Sequence, residues 1–482
     1  RQASCAMARA RSEISRRFLA VLSLAIVVAA CGDDGKGDDE ASSDTDTDTD
    51  SMPDPPTGLL EATQVVTATV HICAEAKDGR VVCWGENDLG QVGDDSRDFR
   101  LYPVAVELTG VAELDAAGPL SCARMDDGTV RCWGSGRYGQ LGDGANGDDH
   151  VQQVPTPVVG LADVVDISVA PDHACAVTGD GGVWCWGLNA GNGSLGFEND
   201  ECGPFIFYRD DAYEVYEACT ATPVQVTAIS DAVEVAVGGQ HQCVRRQDGS
   251  VGCWSLFNNS GELGDGTQLG AGVGEIVEVT TLEGPLDDVV QLEAGWDFSC
   301  ALRGDGSVWC WGGNSYGNLG QGQLGSEPPR LTRATAVPDL TGVSRLSAKN
   351  ASVCVVLDEG SVRCWGDINY LFANAGAATP TPMAVQFGAV AVDVDSAGFT
   401  TCILDVDGHV RCLGIYPGNY VPGADPWSGD PVLTGRDGQR GSEAEWDSAQ
   451  AHASAGCPSN SNFSFRRRFF PRPAIPTVPS GY

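Results

Sequence analysis

Fourteen of the nineteen cysteines stand in seven pairs with one spacing: Cys73 with Cys83, Cys122 with Cys132, Cys175 with Cys185, Cys243 with Cys253, Cys300 with Cys310, Cys354 with Cys364, and Cys402 with Cys412. Inside every pair an acidic residue is followed by glycine, from Asp78-Gly79 to Asp407-Gly408, with Glu359 the single glutamate. Valine always stands two places before the second cysteine. Paired thiols suit three chemistries: a disulfide, a metal thiolate site, or two buried free thiols. Zinc ligands usually come from short loops, so a ten-residue spacing across facing strands speaks against metal. The choice between disulfide and free thiol turns on the compartment, because disulfides persist where the surroundings are oxidising.

The elements that would hold such pairs follow from the acid-glycine step. A two-residue loop would set Cys73 against Trp84, whereas the three-residue loop Lys77-Asp78-Gly79 sets it against Cys83. The latter is a type I turn with glycine in the left-handed region. Directly opposed residues lie within disulfide reach. Each pair therefore reads as a hairpin stapled across its ladder, with free thiols as the alternative and a stabilisation of about 2 to 3 kcal/mol per bridge in the chain-entropy model. Upstream of the pairs run alternating segments, "VVDISVA" at 164–170, "VEVAVGG" at 233–239 and "VVQLEAG" at 289–295. Downstream come glycine turns, "GQLGDG" at 139–144 and "GELGDG" at 261–266, then a proline-led segment such as "TPVQV" at 222–226. One copy thus supplies four short strands, and seven copies at near-constant spacing predict an all-β, seven-bladed β-propeller.

The joint pattern, "HACAVTGDGGVWCWG" at 173–187 with "YGQLGDG" at 138–144, resembles the repeat of the regulator of chromosome condensation family over roughly residues 59–414. The resemblance implies the propeller fold. Its founding member exchanges nucleotide on a Ran-type GTPase in the nucleus, and other bacterial propellers of this kind resemble pure binding proteins. Members without the cysteines carry small residues there, so the pairs read as an adaptation to an oxidising compartment.

The N-terminal segment points to that compartment. From Met7, the reading frame's expected start, Arg9, Arg11, Arg16 and Arg17 precede an apolar run from Phe18 to Ala30 that is short for a membrane span. The run closes on Val-Ala-Ala-Cys, which resembles a bacterial lipobox with Cys31 as the acylated residue. "SRRFL" at 15–19 leaves the general secretory and twin-arginine routes both open. Residues 1–30 are read as a signal peptide and 31–57, with its Asp-rich run, as a lipidated, disordered acidic linker spanning roughly 30 Å. Residues 58–414 form the propeller, with an insertion at 197–220, and 415–482 a poorly defined, partly disordered C-terminal segment. The expected location is the cell envelope, as an outer-membrane or surface lipoprotein, monomeric and touching membrane through its lipid alone.

Sixty-six acidic residues against 29 Lys and Arg give a formal charge of −37, which excludes nucleic acid and favours neutral or basic partners. Trp84, Trp133, Trp186, Trp254, Trp311 and Trp365 follow the second cysteine in six copies, with Leu413 in the seventh, and read as packing between blades. Trp184, Trp296 and Trp309 lie off that register and are better ligand candidates wherever exposed. His71, His173 and His241 stand two places before the first cysteine and read as hydrogen-bonding groups. The third copy departs most: Phe205, Phe207, Tyr208, Tyr213 and Tyr216 fall between Cys202 and Cys219, which are expected to bridge the insertion's base. This aromatic load makes it the candidate binding loop. No catalytic triad, zinc helix, cofactor motif or polar cluster breaking the sevenfold pattern at the axis is legible, so no catalytic, cofactor or metal residue is assigned and the chain is read as a non-enzyme. The expected function is a binding scaffold for a protein or glycan; a nucleotide-exchange-type regulator and a surface hydrolase or lyase are the alternatives.

Overall fold

A computed structural model describes residues 59–191, 193–198, 205–209, 213–322, 330–368, 371 and 378–414, with the backbone alone for 205–209 and 213–217. The signal segment, Cys31, the acidic linker, Cys202 and residues 415–482 lie outside the described residues. Every acid-glycine step turns the chain. In blade 1 the Ala76 N–H donates to Arg80 O (2.8 Å) and Gly79 N–H to Ala76 O (2.8 Å), closing the loop Lys77-Asp78-Gly79. Gly79 sits at φ +80°, where a side chain would be strained. The acid has its own role: its carboxylate accepts the N–H two residues on, as from Arg80 to Asp78 (3.2 Å), Thr129 to Asp127 (3.0 Å), Ser250 to Asp248 (2.9 Å) and Ser307 to Asp305 (2.9 Å). The register that results sets Cys73 opposite Cys83, and likewise in the other six copies. All seven pairs are bonded, with Cα atoms 4.0 to 4.1 Å apart.

Blade 1 is an up-and-down sheet of four strands, Ala62–Thr67, His71–Ala76, Val81–Gly85 and Arg100–Val106. Blades 2 to 6 repeat it, and blade 3 carries a fifth strand from the insertion. Blade 7 has three strands among the described residues, Ala391–Ala397, Thr400–Asp405 and Val410–Gly414. The first strand of each blade touches that of the next around a complete cycle, so these strands line the axis and the ring is closed. The seam uses the junction found elsewhere: Ala62 N–H donates to Gly408 O at 2.7 Å, as Val164 does to Gly128 (3.0 Å) and Val343 to Gly306 (3.1 Å). Leu60 O also accepts from Val410 N–H (3.0 Å), so the chain just before blade 1 latches onto blade 7.

The six register tryptophans are buried to within 2% and join the blades. Trp133, Trp186, Trp254, Trp311 and Trp365 pack on the glycine turn of the preceding blade, and in four of them the N–H reaches a carbonyl there: Trp133 to Gln91, Trp186 to Gln140, Trp311 to Glu262 and Trp365 to Asn318, all at 2.9 Å. A buried asparagine shapes the same turn, with Asn87, Asn189, Asn258 and Asn314 accepting from Val92, Leu195, Leu263 and Leu319 N–H. The turn's second glycine faces the indole. A Cβ on Gly264, at φ +66°, would lie 2.8 Å from the Trp311 ring, while one on Gly144, at φ +88°, would meet nothing within 4 Å. Gly264→Ala is therefore expected to cost about 2 kcal/mol or more through strain plus overpacking, and Gly144→Ala about 1 kcal/mol through strain alone. Urea midpoints at unchanged slope measure the difference.

Candidate functional site

The chain direction divides the loops between two ends of the propeller. Loops joining first to second and third to fourth strands share one end, here the turn face; the Asp-Gly hairpins share the other, the hairpin face. The axis between them is filled. A bulge after the first residue of every first strand re-aims the residue that follows it. At this position Gln64, Asp166, Glu234 and Gln291 accept from the next blade's first strand, at Leu114, Val235, Leu292 and Leu346 N–H (2.7 to 3.0 Å). Two residues on, Asp115 accepts from Val169 N–H (2.8 Å) and Asp395 from Thr67 N–H (2.6 Å). Lys349 of blade 6 crosses the axis, its Nζ 2.9 Å from Asp115 of blade 2 and 3.2 Å from Asp395 of blade 7.

This is a polar cluster that breaks the sevenfold pattern, and it corrects the expectation that the axis holds none. The signal was weak but present: one register position reads Val66, Asp115, Ser168, Ala236, Glu293, Ser347 and Asp395 around the ring. Its electrostatics are those of a buried site. Burial opposes the Lys349 charge, but Asp115 and Asp395 outweigh it and hold the ammonium protonated above its usual range. Burial pushes Glu113 up to about 7, against its ion pair with Arg124 (2.8 Å). Burial, reinforced by Glu113 and Glu234, raises Asp166, and burial raises Glu234, Glu293 and Asp393. The cluster's groups are engaged with one another and with backbone donors, so what they do chemically is tie the blades together.

Above Lys349 the turn face opens as a depression of about 370 Å³ of space continuous with solvent. Its walls are small or apolar, Ala117, Ala170 and Gly239 among them, and its rim carries Trp296, Asn350 and Thr69. Trp296 is 53% exposed, the largest side chain so displayed among the described residues. Its backbone is fixed: Trp296 N–H donates to Asn350 O (2.7 Å), Gly239 N–H to Trp296 O (3.1 Å), and Asn350 Nδ2 to Thr69 Oγ1 (3.2 Å). Among the described off-register tryptophans it is the exposed one; Trp184 and Trp309 are half-buried and pack against blade cores.

The histidines do not converge. His71 Nε2 lies 2.6 Å from Ser121 Oγ, His241 Nε2 2.7 Å from Ser299 Oγ, and His173 Nε2 3.0 Å from Gln242 Nε2, each pair linking neighbouring blades. Burial pushes His71 and His241 down to about 3, so both stay neutral. Asp405, Asp407 and His409 meet at the blade 7 hairpin, where Asp405 accepts from Arg411 Nε (2.8 Å) and from the two backbone N–H groups.

The insertion leaves blade 3 on the turn face. Phe205–Arg209 pairs antiparallel with the start of Tyr213–Gln225, whose far end is the blade's fourth strand. Phe207 stands opposite Val215, Tyr208 opposite Glu214, Ile206 opposite Tyr216, and Phe205 opposite Glu217. Cys219 is disulfide-bonded, while Cys202 lies outside the described residues.

Two signatures described as "Regulator of chromosome condensation (RCC1) repeat" match this chain, one at residues 164–193 and 289–318, the other at 127–177 and 305–344. Among curated proteins, the human E3 ubiquitin-protein ligase HERC2 is 29% identical over 206 residues, 42% of this chain and 4% of that one. The Ultraviolet-B receptor UVR8 of Arabidopsis thaliana is 26% identical over 306 residues, 63% of this chain and 64% of that one. The chain thus spans less than two thirds of either relative. Among solved structures, Prp20p from Saccharomyces cerevisiae has a TM-score of 0.56 at 19% identity, over 73% of this chain and 82% of that one. Human WBSCR16 has the same score and identity, over 73% and 86%. Seven copies of one disulfide-stapled hairpin, five of them with the Trp-on-glycine-turn junction, and the two matching signatures together show a propeller built from repeats of the regulator of chromosome condensation (RCC1) type.

Proposed function

We propose that this protein is an exported, lipid-anchored binding scaffold that captures a protein or glycan on its turn face. The observation that carries the reading is where the repeat is broken. The solvent-facing Trp296 beside the axial depression, and the aromatic insertion of blade 3, both belong to the turn face. Departures from a repeat are where a propeller's function is written, because the repeated residues are already engaged in holding the blades. An exposed Trp over small, rigid walls suits an apolar side chain or the face of a sugar ring. The seven bonded cysteine pairs fit an oxidising compartment, and the Arg-led apolar run ending at Cys31 supplies the route and the anchor.

Two measurements test the reading. Non-reducing peptide mass spectrometry of the envelope-expressed chain is expected to find lipid on Cys31 and Cys202 bonded to Cys219; an unmodified Cys31 would remove the anchor. Binding to a glycan array and to envelope proteins immobilised individually is expected to fall at least tenfold in Trp296→Ala and in Tyr208→Ala/Tyr213→Ala, with thermal stability unchanged. Ligands that bind all three proteins equally would place the site elsewhere.

A further inference from the structure

The mouth on the turn face owes its shape to one register. Two positions beyond that of Asp115 and Asp395 on the first strands, six blades carry alanine or glycine, and blade 6 carries Lys349. Small walls therefore surround a single lysine stem, whose ammonium is bound between Asp115 and Asp395.

The rim adds a fixed aromatic face. A Cβ on Gly239 would lie 2.8 Å from Cδ2 of Trp296, so the indole rests on bare backbone of blade 4. With its own backbone bonded to Gly239 and Asn350, Trp296 is held on one side and open on the other. Elsewhere in this chain cations already sit over aromatic rings: Arg303 lies 5.7 Å from the centre of the Trp309 ring and Arg137 5.2 Å from that of Tyr138. No lysine or arginine among the described residues covers Trp296 in this way.

The charge around the mouth is one-sided. The seven loops from first to second strand, which form the rim, carry Asp172 and Asp297 and no lysine or arginine. Beneath them Asp115 and Asp395 outnumber Lys349, with Glu293 beside them. A concave site with low-dielectric walls focuses such a field on whatever enters.

We propose that this mouth receives an arginine side chain from a protein partner, its methylenes between the small walls and its guanidinium stacked on the free face of Trp296. The proposal rests on the turn-face reading above and narrows its ligand from protein or glycan to a basic protein segment. Arginine answers each feature: an apolar stem for the alanine and glycine walls, a planar cation for the indole, and a positive charge for the acids below. A neutral sugar would use the indole and leave the field unused. The formal charge of −37 extends the same preference to the distances at which partners first meet.

Chemical shifts of the Gly239 and Asn350 backbone amides, followed in the full chain as acetyl-Gly-Arg-Gly-amide is added, test this. The peptide is expected to move both, about tenfold more tightly than its uncharged isostere with citrulline in place of arginine, and less tightly as salt is raised. Trp296→Ala should lose the response at unchanged melting temperature, while Trp296→Phe should keep part of it, since the smaller ring still offers a face. Equal affinity for the citrulline peptide, or an undiminished response in Trp296→Ala, overturns the proposal. Silence toward the arginine peptide, while a glycan or envelope protein still binds through Trp296, overturns it too; that result hands the mouth to a neutral ligand and leaves the turn-face reading standing. The reading itself falls to a different result, ligands that ignore Trp296 and the blade 3 insertion alike.

Discussion

Lys349→Met should be the most destabilising single substitution on the axis, lowering unfolding free energy by about 3 to 5 kcal/mol, the usual cost of removing one partner from a buried ion pair. The ammonium is the one cation that Asp115 and Asp395 share, and they come from blades 2 and 7, which flank blade 1. Removing it leaves two carboxylates and the nearby Glu293 facing a side chain that offers no proton. Asp395 keeps Thr67 N–H and Ser347 Oγ as donors, and Asp115 keeps Val169 N–H, so the loss is large but the ring is not stripped of every inter-blade bond. The loss must also depend on pH. With the cation gone, Glu293, raised by burial and held down by Lys349, rises further and takes up a proton more readily, so the penalty should be smaller at pH 5 than at pH 8. Calorimetric unfolding of wild type and variant at both values measures this. A pH-independent loss would mean that Lys349 acts through its packed methylenes; Lys349→Arg, which keeps the charge, should recover most of the stability.

How much of this could be read from the sequence depended on how local each signal is. The hairpin register follows from three adjacent residues and one steric fact about glycine, so Lys77-Asp78-Gly79 already placed Cys73 against Cys83. The packing role of Trp133 or Trp311 followed from repetition alone, although the carbonyl each one seeks is 42 or 49 residues away. Asn87, Asn189, Asn258 and Asn314 went unread, yet they stand three or four places after a register Trp and could have been found by extending the alignment. The Lys349 cluster was of another kind. Asp115 is 234 residues from Lys349, and the lysine has no counterpart in the other copies, so nothing short of closing the ring brings them together. Sevenfold reading finds what the blades share, while the axis is set by what they do not.

Stability should pass through a maximum near pH 5, at the acid end of the range of about pH 5 to 8 in which most proteins are most stable. Burial raises seven carboxyls in the fold, Glu113 to about 7, Asp297 to about 6, and Asp166, Glu234, Glu262, Glu293 and Asp393 in the same direction, with like charges adding to it at Glu113, Asp166, Glu293, Asp297 and Asp393. A carboxyl whose folded pKa lies above its unfolded value keeps its proton longer when folded, so stability falls as pH rises from the unfolded value to the folded one. Two groups oppose this. His71 and His241, pushed down to about 3 by burial, must stay neutral in the fold, so each withdraws stability as pH falls below 6.5. Each titrating group contributes at most about 1.4 kcal/mol per pH unit, so seven against two leaves the carboxyls dominant down to about pH 5. Below pH 4 the balance reverses, because Asp78, Asp127, Asp180, Asp248 and Asp305, held low by hydrogen bonds from the residue two places on, lose those contributions as they protonate. Melting temperature from pH 3 to 9 should therefore rise to about pH 5 and decline above it. Asp297→Asn should raise stability above pH 6 by up to about 3 kcal/mol while changing little at pH 4, since its roughly two-unit rise is worth that much. A melting temperature that climbs from pH 5 to pH 8 would refute the carboxyl assignment, and His71→Gln, which removes one opposing imidazole, should then flatten that climb.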